Sequence, residues 1–147
     1  MTNSAGAEVS RNFYWLSTKP EVFDPDPAHS PFWYTPSLEF AGFTALQHMS
    51  PSEVRVSGRM DKGDKENLAH ITVENPGKQL TFFLRVHLVN ANDGEDILPI
   101  LIQDSYFSLL PGERKEVTAR FEASPGLKPE VEVEGWNVTR QSAPLGD

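Results

Sequence analysis

From Glu53 onward, apolar and polar positions alternate with a period of two, the pattern of strands that bury one face. Val54, Val56, Gly58 and Met60 alternate with Glu53, Arg55, Ser57 and Arg59. Ala69, Ile71 and Val73 alternate with His70, Thr72 and Glu74. Phe82, Leu84, Val86 and Leu88 take one side of the next run, and Phe83, Arg85, His87 and Val89 the other. Val117, Ala119 and Phe121 face inward from a strand over Arg114 to Glu122. Val131 and Val133 do so opposite Glu130, Glu132 and Glu134. Turn signals separate these runs at Asp61-Lys62-Gly63-Asp64, Asn75-Pro76-Gly77, Asn92-Asp93-Gly94 and Pro111-Gly112. Ile97 to Ile102 is apolar but contains Pro99, which lacks an N–H and belongs at a sheet edge. Asp104 to Leu110 reads as a strand that runs straight into Pro111-Gly112. About seven strands with turns between them predict an all-β fold, an immunoglobulin-like antiparallel β-sandwich. Trp136, after Gly135 at the end of a strand, is expected to lie beneath that sandwich.

The first third reads differently. Glu8 to Leu16 resembles a strand, with Phe13 and Trp15 on one face and Tyr14 and Leu16 on the other; Pro20 stops it. Glu21 to Pro51 is rich in proline and carries Phe23, Phe32, Trp33, Tyr34, Phe40 and Phe43. A flexible linker has few such groups, so this stretch is expected to be an ordered, irregular arm, with a helical turn within Glu39 to Gln47. The expected organisation is a remnant strand of a preceding domain over 1–17, the arm over 18–52, the sandwich over 53–139, and a polar, frayed tail over 140–147.

Composition narrows the possible roles. Hydrophobic residues make up 38% of the 147, which suits a modest core with long irregular stretches. A net charge of −8 without a basic run argues against nucleic acid as a partner. No cysteine is present, which excludes disulfides and thiolate metal sites and leaves the redox compartment open. No apolar run spans a bilayer, so no membrane partner is expected, and Met1 to Ser10 does not read as a signal peptide.

Candidate chemistry is sparse. Glycoside hydrolysis needs two carboxylates about a sugar ring, but with 21 acidic residues a pair is uninformative, and most lie on outward strand positions or in turns. His29, His48, His70 and His87 lack metal-ligand spacing and read as polar surface residues. The oxygen-rich turns at 61–64 and 92–96 could attract calcium, yet hairpin turns want the same Gly and Asp residues. No metal or cofactor is expected. Phe32-Trp33-Tyr34 has two readings. It could be a carbohydrate platform, with Trp33 and Tyr34 as the candidate contacts, or an anchor that buries the arm; the adjacent prolines favour the anchor. Asn137-Val138-Thr139 fits a glycosylation sequon, which has meaning only in a eukaryotic secretory pathway.

Several stretches resemble a known family. They are Ser10 to Leu16, Trp33-Tyr34-Thr35-Pro36, Phe43 to Leu46, Phe82-Phe83-Leu84-Arg85, Ile97-Leu98-Pro99, Tyr106 to Glu113 and Gly135-Trp136-Asn137. In this order they resemble the C-terminal end of family 2 glycoside hydrolases, nearest to exo-β-D-glucosaminidases, then β-mannosidases and plant-type endo-β-mannosidases. Ser105 departs from the Asn expected there, which puts a loop hydrogen bond in question. The resemblance implies a multidomain retaining enzyme with a sugar-binding jelly roll, immunoglobulin-like domains and a barrel carrying a pair of catalytic glutamates. This chain would be the noncatalytic last domain, and no catalytic residue is carried over. Its partners would be the catalytic and neighbouring domains of the parent, with an oligosaccharide as a further candidate. A periplasmic or secreted parent is favoured. The rival expectation is an independent carbohydrate-binding module.

Overall fold

The computed structural model describes residues 3–5, 9, 11–29 and 34–146. It divides into two compact units, Met1–Met49 and Ser50–Asp147.

In the first unit, strands β1 (Val22–Phe23) and β2 (Ser37–Glu39) pair antiparallel. A 3₁₀ turn spans Pro27–His29 and another Thr44–His48, where the sequence predicted a helical turn. Polar groups tie the strands locally: Lys19 meets Glu39 at 2.7 Å, and the Ser37 hydroxyl donates to Glu21 at 2.5 Å. Trp15 and Phe43 meet edge to face with ring centres 5.2 Å apart. Arg11 to Ser17 join no strand ladder.

The second unit is the sandwich. Its strands are β3 (Arg55–Asp61), β4 (Glu66–Glu74), β5 (Thr81–Asn90), β6 (Ile100–Ile102), β7 (Tyr106–Leu109), β8 (Arg114–Glu122), β9 (Pro129–Gly135) and β10 (Val138–Gly146). Their order is β6-β8-β4-β3-β10-β9-β5-β7. The inward residues of β4 and β8 (Ile71, Val73, Val117, Ala119) share one core with those of β5 and β9 (Leu84, Val86, Leu88, Val131, Val133). Each of these nine is at most 1% exposed, so the alternation read from sequence is the alternation that packs. As expected of its proline, the stretch containing Pro99 leads into an edge strand, β6. The chain turns between β7 and β8 at Leu110-Pro111-Gly112-Glu113. Gly112 has φ 77°, and the Glu113 N–H donates to the Leu110 carbonyl at 3.0 Å, which is a type II turn with Pro and Gly at their preferred places. The loop at Ser105 is held by its backbone, since its carbonyl accepts the Val86 N–H at 2.9 Å.

One strand differs from the sequence reading. Arg140 to Gly146, expected to fray as a tail, forms most of β10. β10 pairs antiparallel with β9 from Gln141↔Val133 to Pro144↔Glu130, then parallel with β3 at Leu145↔Gly58 and Gly146↔Arg59. It is thereby the only strand joining the two halves of the sandwich among the described residues. Leu145 packs on the core, and a Cβ on Gly58 would stand 2.4 Å from its Cδ2, so a larger residue there would have to displace the Leu145 side chain.

Candidate functional site

Of the aromatic platform considered above, Phe32 and Trp33 lie outside the described residues. Tyr34 is 60% exposed. The oxygen-rich turns are occupied by their own contacts. The Asp61 carboxylate meets Arg59 on one oxygen and His70 Nε2, at 2.9 Å, on the other. The hydrogen bond from His70 leads the causes that hold Asp61 below the ordinary carboxylate range. Asp93 accepts the Glu95 N–H on Oδ1 and the Asn90 side-chain amide on Oδ2, both at 3.1 Å. Among the described residues, no group of three or more His, Asp or Glu side chains could hold a metal ion.

A lattice of ionisable side chains covers the outer face of β5, β9 and β10. The antiparallel register sets Arg85 opposite Glu134 and His87 opposite Glu132, and period-two alternation turns all four outward. Arg85 reaches Glu134 at 3.3 Å and Asp96 at 3.2 Å. Arg140 of β10 reaches Glu132 at 3.3 Å and Glu134 at 3.4 Å. At the centre is His87, whose side chain is only 12% exposed. Its Nδ1 lies 2.6 Å from Asp96 Oδ1. Its Nε2 is 3.4 Å from Glu132 Oε2, without the alignment of a hydrogen bond. The hydrogen bond from His87, then the charges of His87 and Arg85, outweigh desolvation and lower the pKa of Asp96. A general acid must hold its proton near neutral pH. This environment does the opposite for Asp96, and the arrangement is suited to pinning strands together.

Beside the lattice the same face turns aromatic. Phe83 (50% exposed) and Tyr106 (52%) have ring centres 5.4 Å apart. Phe83 has φ 53°, a left-handed conformation rare for a bulky side chain, at a shift of register between β5 and β7. Its N–H donates to the Ser108 hydroxyl at 3.0 Å. Trp136 is 57% exposed, which corrects the expectation that it lies beneath the sandwich. The reason is parity. With Val131 and Val133 inward, the next inward position is Gly135, where a Cβ would come within 2.8 Å of Leu84 Cδ2, and Trp136 falls on the outer side.

Asn137, read as part of a sequon, is a structural clamp. Its Oδ1 accepts the Phe82 N–H at 2.9 Å, and its Nδ2 donates to the carbonyls of Ser50 and Leu80, at 2.8 Å each. Both amide hydrogens are committed, which leaves no place for a glycan on Nδ2. The outward parity of Arg85, His87, Glu132 and Glu134 was readable from sequence; that they meet was not, because the pairing of β5 with β9 is nonlocal.

The family model of the exo-β-D-glucosaminidase Ig-fold domain matches residues 32–138. The exo-β-D-glucosaminidase of Streptomyces avermitilis is 38% identical over 98% of this chain, which covers 16% of that enzyme. The Amycolatopsis orientalis enzyme is 34% identical over 98% of this chain and 14% of its own length. The mannosylglycoprotein endo-β-mannosidase of Lilium longiflorum is 27% identical over 90% of this chain and 18% of its own. The crystal structure of the Amycolatopsis orientalis exo-chitosanase CsxA superposes with a TM-score of 0.84 at 34% identity, covering 97% of this chain and 17% of that one. The chain thus spans less than a fifth of each of these relatives. With the family model covering most of the sandwich and this identity along nearly the whole length, the chain belongs to the exo-β-D-glucosaminidase Ig-fold domain family.

Proposed function

We propose that this chain is the noncatalytic accessory domain of a retaining family 2 glycoside hydrolase, an exo-β-D-glucosaminidase or β-mannosidase-like enzyme. That enzyme removes β-linked glucosamine or mannose residues, and the domain supports its catalytic barrel. The observation that carries this reading is the asymmetry of coverage: 98% of the chain matches 16% of a glucosaminidase. Chemistry that needs a pair of carboxylates about a sugar ring then falls to the remainder of the enzyme. On this reading residues 1–17 belong with the preceding domain, 18–52 form the arm between, and the sandwich continues through β10.

Purified chain and whole enzyme, assayed side by side on aryl β-glucosaminide and β-mannoside, test the proposal. The whole enzyme turns over and the chain does not. Turnover by the chain that one substitution within it abolishes would overturn the reading. Titration with chitosan and mannan oligosaccharides tests the rival. Saturable binding by the chain, lost on changing Trp33 and Tyr34, would make it a carbohydrate-binding module.

A further inference from the structure

The two units treat their apolar side chains in opposite ways. Every buried hydrophobic residue among the described ones lies at Val54 or beyond. Among the described residues up to Phe43 none is buried and ten large apolar side chains are exposed, against six among those described in the sandwich unit. Leu16 is 90% exposed, Tyr14 79%, Phe40 77% and Leu38 62%. The polar groups of this unit are, by contrast, well satisfied. Asp24 accepts the Asp26 N–H and lies 2.7 Å from His29 Nδ1; Lys19 pairs with Glu39, and Ser37 with Glu21. A segment made to face water shows its polar groups and hides its apolar ones. A two-stranded hairpin with no buried apolar residue is marginal on its own.

We propose that residues 11–29 and 34–46 form an interdomain clasp whose exposed apolar side chains dock on the remainder of the parent enzyme and become ordered there. The inference rests on the reading above that a larger enzyme carries this chain. The occupant follows from coverage. The arm is matched along with the sandwich in relatives of which the chain makes up less than a fifth, so a large surface of the same polypeptide lies beyond it. A tethered surface acts at a high effective concentration, which lets a weakly ordered segment dock without a partner from solution. Coupled ordering of this kind buries apolar area that the segment cannot bury alone.

Hydrogen exchange on the isolated chain and on the whole enzyme tests it. Amides of 11–24 and 37–46 should exchange at least 100-fold faster in the chain than in the enzyme, while those of β4 and β5 exchange alike in both. Equal protection of the arm in both samples would overturn the clasp. So would protection in the chain that rises with its concentration, which would mean a second copy covers the arm. As a second arm of the test, Leu16→Ser with Phe40→Ser should speed arm exchange tenfold or more in the enzyme and leave the thermal midpoint of the isolated chain unchanged. A fall in the chain's own midpoint would show that the sandwich holds these residues and would also overturn the proposal. No readout here is glycosidase activity, so failure of the clasp is distinct from failure of the enzymatic reading.

Discussion

Asn137 gathers three backbone groups with one amide, and the chemistry of that amide sets a clear expectation. Asn137→Asp keeps an acceptor for the Phe82 N–H but sets a carboxylate oxygen against the carbonyls of Ser50 and Leu80. Urea denaturation should show a loss of about 2–4 kcal/mol, larger than for Asn137→Ala, because two former acceptors lose their donor and face a charge. The reverse ranking would mean that the amide does not hold these strands. Asp96 gives a pH-dependent case. Its pKa is depressed in the fold, so its stabilising contribution is fully present above the unfolded carboxylate value. That contribution fades as pH falls from there through the folded value. Wild type should therefore exceed Asp96→Asn in stability at neutral pH by a few tenths to about 1 kcal/mol, the range for solvent-screened pairs. The gap should close in acid. Thermal midpoints of both proteins from pH 7 down to pH 2 would show it, and a gap independent of pH would contradict the assignment.

At the level of elements, β5 joins a well-packed half to a strained one. Leu84, Val86 and Leu88 are at most 1% exposed, whereas Phe83 sits in the left-handed region with its ring half in water. Leu84→Ala should cost about 2–5 kcal/mol through lost burial and a cavity. Phe83→Gly relieves about 1–2 kcal/mol of backbone strain. It gives up ring contacts with Tyr106 and about 0.5–1 kcal/mol of unfolded-state entropy, so the net change should lie near zero. Chemical denaturation of the two variants checks the contrast; equal costs would mean that the Phe83 ring, not its backbone, governs the site. The same strands show what could be read in advance. β4, β5, β8 and β9 alternate through their middles, and their inward residues make up most of the core. β10 escaped because Arg140, Gln141 and Ser142 are polar and Pro144 cannot donate to a ladder. Past Val138, which is buried at its start, its one large apolar residue, Leu145, fits against a glycine on a strand more than eighty residues earlier. The charged lattice was hidden in the same way. Outward parity is local information, but the meeting of Arg85 with Glu134 depends on a register set by the whole sheet. The misplacement of Trp136 had another origin, since the parity of Val131 and Val133 already turned it outward.

Across the whole molecule, the buried apolar residues among those described lie in one unit, and that unit is closed by one strand. Removing residues 139–147 takes away the pairing of β10 with both β9 and β3. The shortened chain should lose cooperative thermal unfolding, as followed by calorimetry or near-UV circular dichroism; a sharp transition close to that of the full chain would show that the halves hold by side-chain packing alone. The position of β10 also has a consequence in time. On the ribosome β3 to β9 are made first, and the strand that joins their two halves emerges after all of them. At synthesis rates of roughly 5–20 residues per second the interval is only about a second, yet throughout it the edges of β3 and β9 stand open side by side. A nascent chain stalled with residue 137 at the tunnel exit should be open to protease throughout the sandwich, and one stalled on an added linker that brings residue 147 clear of the exit should be resistant. The sandwich is finished in a single late step, when its joining strand has cleared the tunnel.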